Sequence, residues 1–166
     1  SYQCSSHAEM GGSGTSTNTT LTTTHGQTEF GGQHIIPIVS ANKEAGFSIV
    51  KYTSYGSGGD TTLPHGLSKT PEMVMIKQLN SVNNWMVFHK NLTSPKNINL
   101  DTDDAEDTIT DGGINGTDNN TISLGTSLAV NSSWTSVEQK YICYAWHSVP
   151  GYSAFGSYTG TNHQDK

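Results

Sequence analysis

The apolar residues of this chain come in short runs, about five residues at the longest, with segments rich in Gly, Pro, Asn, Asp and Ser between them. No stretch longer than about eight residues repeats apolar side chains at the 3.6-residue spacing of a helix face. What remains is strand. Phe47 to Thr53 is β-branched and aromatic and ends in the Tyr55–Asp60 turn; Thr61 to Leu67 adds a short strand before Lys69-Thr70-Pro71. Met73 to Lys77 and Trp85 to His89 are nearly continuous apolar runs and read as buried strands either side of a turn at Asn80 to Asn84. Ile35 to Val39 contains Pro37, which has no N–H for a ladder, and so reads as an edge strand. Weaker strands fit Asn97–Leu100, Thr121–Leu124 and Leu128–Val130, and a strong one spans Lys140 to His147. Short strands at this spacing predict an all-β fold, an antiparallel β-sandwich of jelly-roll-like type.

Composition narrows the function classes. Hydrophobic residues make up 32% and charged residues only 13% of the 166, whereas disordered chains poor in apolar residues are usually rich in charge. The filler is Thr, Ser, Asn and Gly, which suit turns and the solvent faces of strands. All eight basic residues are Lys, and the net charge is −6. Without Arg for bidentate phosphate contacts, and with repulsion in place of counterion release, nucleic acid is excluded as a partner. Runs this short do not insert into a membrane as helices.

Three segments follow. Residues 1–40, led by the Gly/Ser/Thr-rich stretch, read as a flexible linker or the end of a preceding module. Residues 41–150 form the sandwich. Residues 151–166 are set apart by an internal echo, because Ala45-Gly46-Phe47-Ser48 returns as Pro150-Gly151-Tyr152-Ser153. They are either the start of a second repeat, in which case the polypeptide continues past Lys166, or a closing strand at a true C-terminus.

The ordered series Gly46-Phe47-Ser48-Ile49-Val50-Lys51-Tyr52-Thr53, Pro64-His65-Gly66-Leu67, Lys69-Thr70-Pro71-Glu72-Met73-Val74-Met75-Ile76-Lys77, Asn84-Trp85-Met86-Val87-Phe88-His89 and residues 140–160 resembles a known family. It is a repeat domain of unknown function found in predicted tail-fibre and other virion proteins of marine phages, cyanophages included. The likeness covers about residues 40–162. It implies a virion-surface, extracellular location and homo-oligomers, with a trimer favoured as the common fibre geometry. Neighbouring virion proteins, and a host cell-surface glycan, are the other partners it suggests. It carries no catalytic or binding motif to transfer.

The chemistry visible in the residues is sparse. Gly56-Ser57-Gly58-Gly59 has no following Lys or helix to make a phosphate loop and reads as a turn. The histidines match no zinc spacing; His65 reads as a turn residue, and His89 and His147 as hydrogen-bonded strand ends. Cys143 reads as a buried free thiol. Asp101, Asp103 and Asp104 lie in the one acidic cluster, a solvated loop or a low-affinity calcium site that lacks the glycine and closing glutamate of an EF-hand. Glycoside hydrolysis needs two carboxyl groups facing across a cleft, and the acidic residues crowd into this loop, so no enzyme is expected and no cofactor other than calcium. Tyr55, Trp134 and Tyr158 are the candidates for sugar contact, as aromatics in turns among Asn and Ser. Trp85 and Trp146, on strands, are expected in the core. The expectation is a non-enzymatic virion module of a tail fibre or similar appendage. The alternatives are a capsid decoration or scaffold protein, a secreted bacterial adhesin and, least, a polysaccharide-degrading tailspike.

Overall fold

Period-two alternation decides which way each strand faces, and it is visible residue by residue along β2, Phe47–Ser57. Ser48, Val50, Tyr52 and Ser54 are buried, while Phe47, Ile49, Lys51 and Thr53 point the other way. A computed structural model of the chain describes residues 33–57, 59–108, 112–131 and 134–160, without the side chains of 33–34, 55–57 and 134–136. The Gly/Ser/Thr-rich stretch read as flexible lies outside the described residues.

The described residues form nine strands and no helix. Besides β2 they are β1 (Gln33–Asn42), β3 (Thr61–Pro64), β4 (Met73–Gln78), β5 (Met86–His89), β6 (Ile98–Asn99), β7 (Ile114–Thr117), β8 (Thr121–Leu124) and β9 (Trp134–Trp146). Six strands in the order β1-β2-β9-β4-β5-β6 make one sheet, and β3-β8-β7 make the second. Every pairing is antiparallel. The protein is an antiparallel β-sandwich. Pro37 is tolerated because β1 lies at a sheet edge, with a strand on one side only.

The core lies between the sheets. The large sheet supplies Ile35, Val50, Tyr52, Val74, Ile76, Met86, Tyr141, Cys143 and Ala145; the small one supplies Leu63, Ile114, Ile122 and Leu124. Each fully buried aliphatic side chain contributes about 1.5–3 kcal/mol. Leu67 and Val130 close the ends from loops. The segment read as a strand at Leu128–Val130 is instead a turn, because Val130 N–H and Asn131 N–H both donate to Ser127 O, at 3.0 and 2.8 Å. β7 had no apolar run to announce it. Its one large apolar residue, Ile114, is fully buried and held by Asn97, whose carboxamide accepts from Ile114 N–H (2.9 Å) and donates to Ile114 O (3.1 Å). One buried amide thus does for Ile114 what a neighbouring strand would do.

β4 departs from expectation in a way that matters for function. Met73 to Lys77 read as buried on both faces, yet Val74 and Ile76 are buried and Met73, Met75 and Lys77 are half-buried on the opposite face. β9 behaves alike, with Tyr141, Cys143 and Ala145 inward and Ile142, Tyr144 and Trp146 outward. The outer face of the large sheet is therefore apolar, which is unusual for an antiparallel sheet that fronts solvent. Trp85 and Trp146, expected in the core, are half-buried on this outer face.

Candidate functional site

The two ends of the outer face are not equivalent. Lys51 and Lys77 flank Ile142 in register toward one end, and the other end is aromatic. There Phe47 sits opposite Trp146, with ring centroids 5.2 Å apart and planes 24° from parallel. Tyr144 continues the cluster, 6.1 Å from Trp146 and 6.4 Å from Phe47, and Trp85 extends it at 6.3 Å from Tyr144. Four near-parallel rings in contact stabilise one another beyond their buried area, by about 0.5–1.5 kcal/mol per pair.

Two tight turns frame this end. The β1–β2 hairpin turns through residues 43–46, where Ala45 N–H donates to Asn42 Oδ1 (3.0 Å) and Gly46 takes a left-handed φ of 63°. The ladder then continues past β9, as His147 N–H donates to Gly46 O at 3.0 Å. The chain next reverses through Val149-Pro150-Gly151-Tyr152. Pro at the second position, Gly at the third with φ 76°, and a 3.0 Å bond from Tyr152 N–H to Val149 O are the marks of a type II turn. Ser153 pairs back on Val149 through main-chain bonds of 2.9 and 3.0 Å.

A hydroxyl bridge ties this turn to the sheet. Ser148 Oγ donates to Glu72 Oε2 (2.5 Å) and accepts from Phe155 N–H (3.2 Å), so Phe155 is fixed 6.5 Å from Trp146. The Ser148 hydroxyl, and then the Lys90 ammonium 2.9 Å away, hold the Glu72 carboxyl below its ordinary range.

Between the two turns lies an open cleft of about 580 Å³ lined by Asn42, Ala45, Phe47, Trp146, Tyr152, Ser153 and Phe155. Its size falls in the usual range of small-molecule sites, about 300–1,000 Å³. The echo in the sequence acquires a meaning here. Ala45 and Phe47 of the first copy, and Tyr152 and Ser153 of the second, line this same cleft, and each copy carries a left-handed glycine before its aromatic residue.

The residues singled out from sequence are scattered relative to this cleft. Tyr55 is on β2 at the irregularity between Ser54 and Gly56, and Trp134 begins β9 opposite Ser57, so both are on strands where turns were expected. Their side chains lie outside the described ones. Tyr158 is 94% exposed in the segment after the cleft. Asp101, Asp103 and Asp104 are exposed in their loop, and Asp101 Oδ1 accepts from Trp85 N–H at 3.0 Å. The same loop is pinned by Glu106, which accepts from Thr93 N–H (3.0 Å) and pairs with Lys96 (3.4 Å), contacts that hold its carboxyl below the ordinary range. Among the described residues no three His, Cys, Asp or Glu side chains are grouped to hold a metal ion. Calcium at this loop would need main-chain and water oxygens to reach its usual six to eight ligands. Asn42, Phe47, Ser153 and Phe155 were not singled out and Trp146 was read only as core; the echo pointed toward Phe47, Ser153 and Phe155, and nothing in the sequence pointed toward Asn42.

No curated protein and no solved structure shows a significant match to the chain. A family model described as a domain of unknown function, DUF7483, matches residues 13–166. With nearly its whole length covered, the chain belongs to that family.

Proposed function

We propose that this chain is a non-catalytic surface module of a virion, part of a tail fibre or similar appendage, and that it engages the host surface through the aromatic cleft. The observation that carries this reading is the cleft itself. It is open and walled by Phe47, Trp146 and Phe155, it is edged by uncharged polar groups, and no carboxylate lies among its lining residues. Such a surface offers contact area without a general acid or a nucleophilic carboxylate. The virion context comes from the motif series that resembles phage tail-fibre repeats. Homo-oligomers, with a trimer favoured, and neighbouring virion proteins are the partners that go with it, together with a glycan of the host surface.

A scaffold or capsid-decoration role is the second reading. It is favoured by Ile36 and Ile38, which are 42% and 67% exposed on the edge strand β1 and continue the apolar outer face. A cryo-EM reconstruction of the native assembly separates the two. The attachment reading expects density for the chain at a fibre or tail tip, with the cleft facing outward. Density spread over a capsid or along a tube would replace attachment by decoration.

A further inference from the structure

We infer that the cleft takes a single neutral pyranose ring of a glycan, an inference that rests on the attachment reading and assigns its ligand. A pyranose has two chemistries in fixed places: patches of C–H on its faces and hydroxyls around its rim. Aromatic faces carry negative quadrupole charge and attract the C–H patches. Aromatic rings line the cleft, with Phe47 stacked on Trp146 and Phe155 tilted 40° to Trp146, so the aromatic surface is not confined to one plane.

The rim hydroxyls need partners, since a polar group buried without one loses its bonds to water and gains none in return. Asn42 uses its Oδ1 to accept from Ala45 N–H, and its amide NH2 has no partner among the described residues. Ser153 Oγ accepts from Val149 N–H at 3.3 Å, which leaves its own proton to donate. Tyr152 is 74% exposed on the rim, where its ring can cover a bound sugar and its hydroxyl can donate or accept.

Charge decides the class. No Lys, Asp or Glu lines the cleft, and the whole chain carries −6. The carboxylate of a uronic or sialic acid would lose water there without gaining a cation. A neutral hexose or N-acetylhexosamine meets no such penalty. A site built from stacking and a few hydrogen bonds is weak alone, and copies presented together on one appendage make it tight.

The test is saturation-transfer NMR on the full chain, with methyl glycosides of glucose, galactose, mannose and N-acetylglucosamine beside methyl glucuronide and methyl sialoside. The expected result is transfer to the ring C–H protons of at least one neutral glycoside and none to the two acids. Tyr152→Ala, a change at an exposed side chain, is expected to weaken that binding fivefold or more. Trp146→Ala should abolish it, with the amide spectrum confirming the fold, and Val82→Ser, at a fully exposed turn position, should leave it unchanged. Neutral binding that survives both aromatic changes in a folded protein would place the sugar elsewhere and overturn the inference. Binding of the acids alone, or of nothing in the panel, would overturn it too. Those failures leave the attachment reading to the position of the chain in the reconstruction, so the two fall separately.

Discussion

Two tyrosines show how single residues hold this sandwich together. Tyr52 and Tyr141 stack 4.9 Å apart inside the core, and each sends its hydroxyl to a carbonyl of the turn after β8, Tyr52 to Val130 O (2.5 Å) and Tyr141 to Leu128 O (3.0 Å). Beside them Ser54 donates to Asn131 Oδ1 (2.7 Å) and Asn131 Nδ2 to Gly125 O (2.9 Å), so the buried end of that turn finds partners for its polar atoms. His65 does similar work at its own turn. Its Nδ1 accepts from Leu67 N–H (3.1 Å), which assigns the proton to Nε2, 3.2 Å from Asp118 O. Burial lowers its pKa from the ordinary value, more than the opposing contact with Asp118 raises it. The unfolded chain therefore takes up this proton first as pH falls, and stability falls with it below about pH 6.5, the ordinary histidine value, until the folded pKa is reached. Urea midpoints measured from pH 7.5 to 5.5, above the carboxylate range, should decline in the native protein and decline less in His65→Gln. Equal slopes would remove His65 as the cause.

At the scale of elements, the paired turns are where backbone conformation and the cleft meet. Gly46 has φ 63°, and a Cβ there would come 2.7 Å from His147 O and 2.8 Å from both His147 Cε1 and Val149 Cγ2. Gly151 has φ 76°, but a Cβ would meet nothing within 4 Å. The same substitution thus separates two costs. Gly151→Ala should lose only the left-handed penalty, about 1–2 kcal/mol, while Gly46→Ala adds a clash against backbone and should lose about 2–5 kcal/mol in all. Chemical denaturation of both variants checks this, and losses of the same size would show that the hairpin end yields to the added methyl. Strand positions were largely legible, because β-branched and aromatic runs between Gly, Asn and Pro leave few alternatives. β8 appears at Thr121–Leu124 as expected. β9 began earlier than expected, since Trp134 to Gln139 is polar and takes its extended form from the pairing with β2.

The whole molecule depends on pairings between distant parts of the chain. β9 lies between β2 and β4, so the centre of the large sheet forms only when the last strand joins the early ones. Such nonlocal topology makes for slow folding. Cys143 sits on that central strand with no exposed surface, and burial pushes its thiol pKa up, which leaves it inert in the folded state. The sequence has one other cysteine, Cys4; with it changed to serine, labelling of Cys143 by a thiol reagent should require global unfolding, with a rate that rises with urea along the slope of the equilibrium transition. A urea-independent rate would mean that β9 opens locally.

The sequence by itself determined the class of fold and the edge position of β1. Each is a local property, carried by alternation, by a missing N–H or by side-chain type. It could not say which face of β9 looks inward, because Tyr141, Cys143 and Ala145 on one side and Ile142, Tyr144 and Trp146 on the other are both apolar. Only the placement of the small sheet decided that, by covering the face with Cys143 and Ala145 and leaving the aromatic one outside. The cleft arose from the same decision. Asn42 and Phe47 lie far from Trp146 and Tyr152 along the chain, and the two pairs meet because the β2–β9 ladder puts Phe47 against Trp146 and a left-handed glycine turns the chain back beside them.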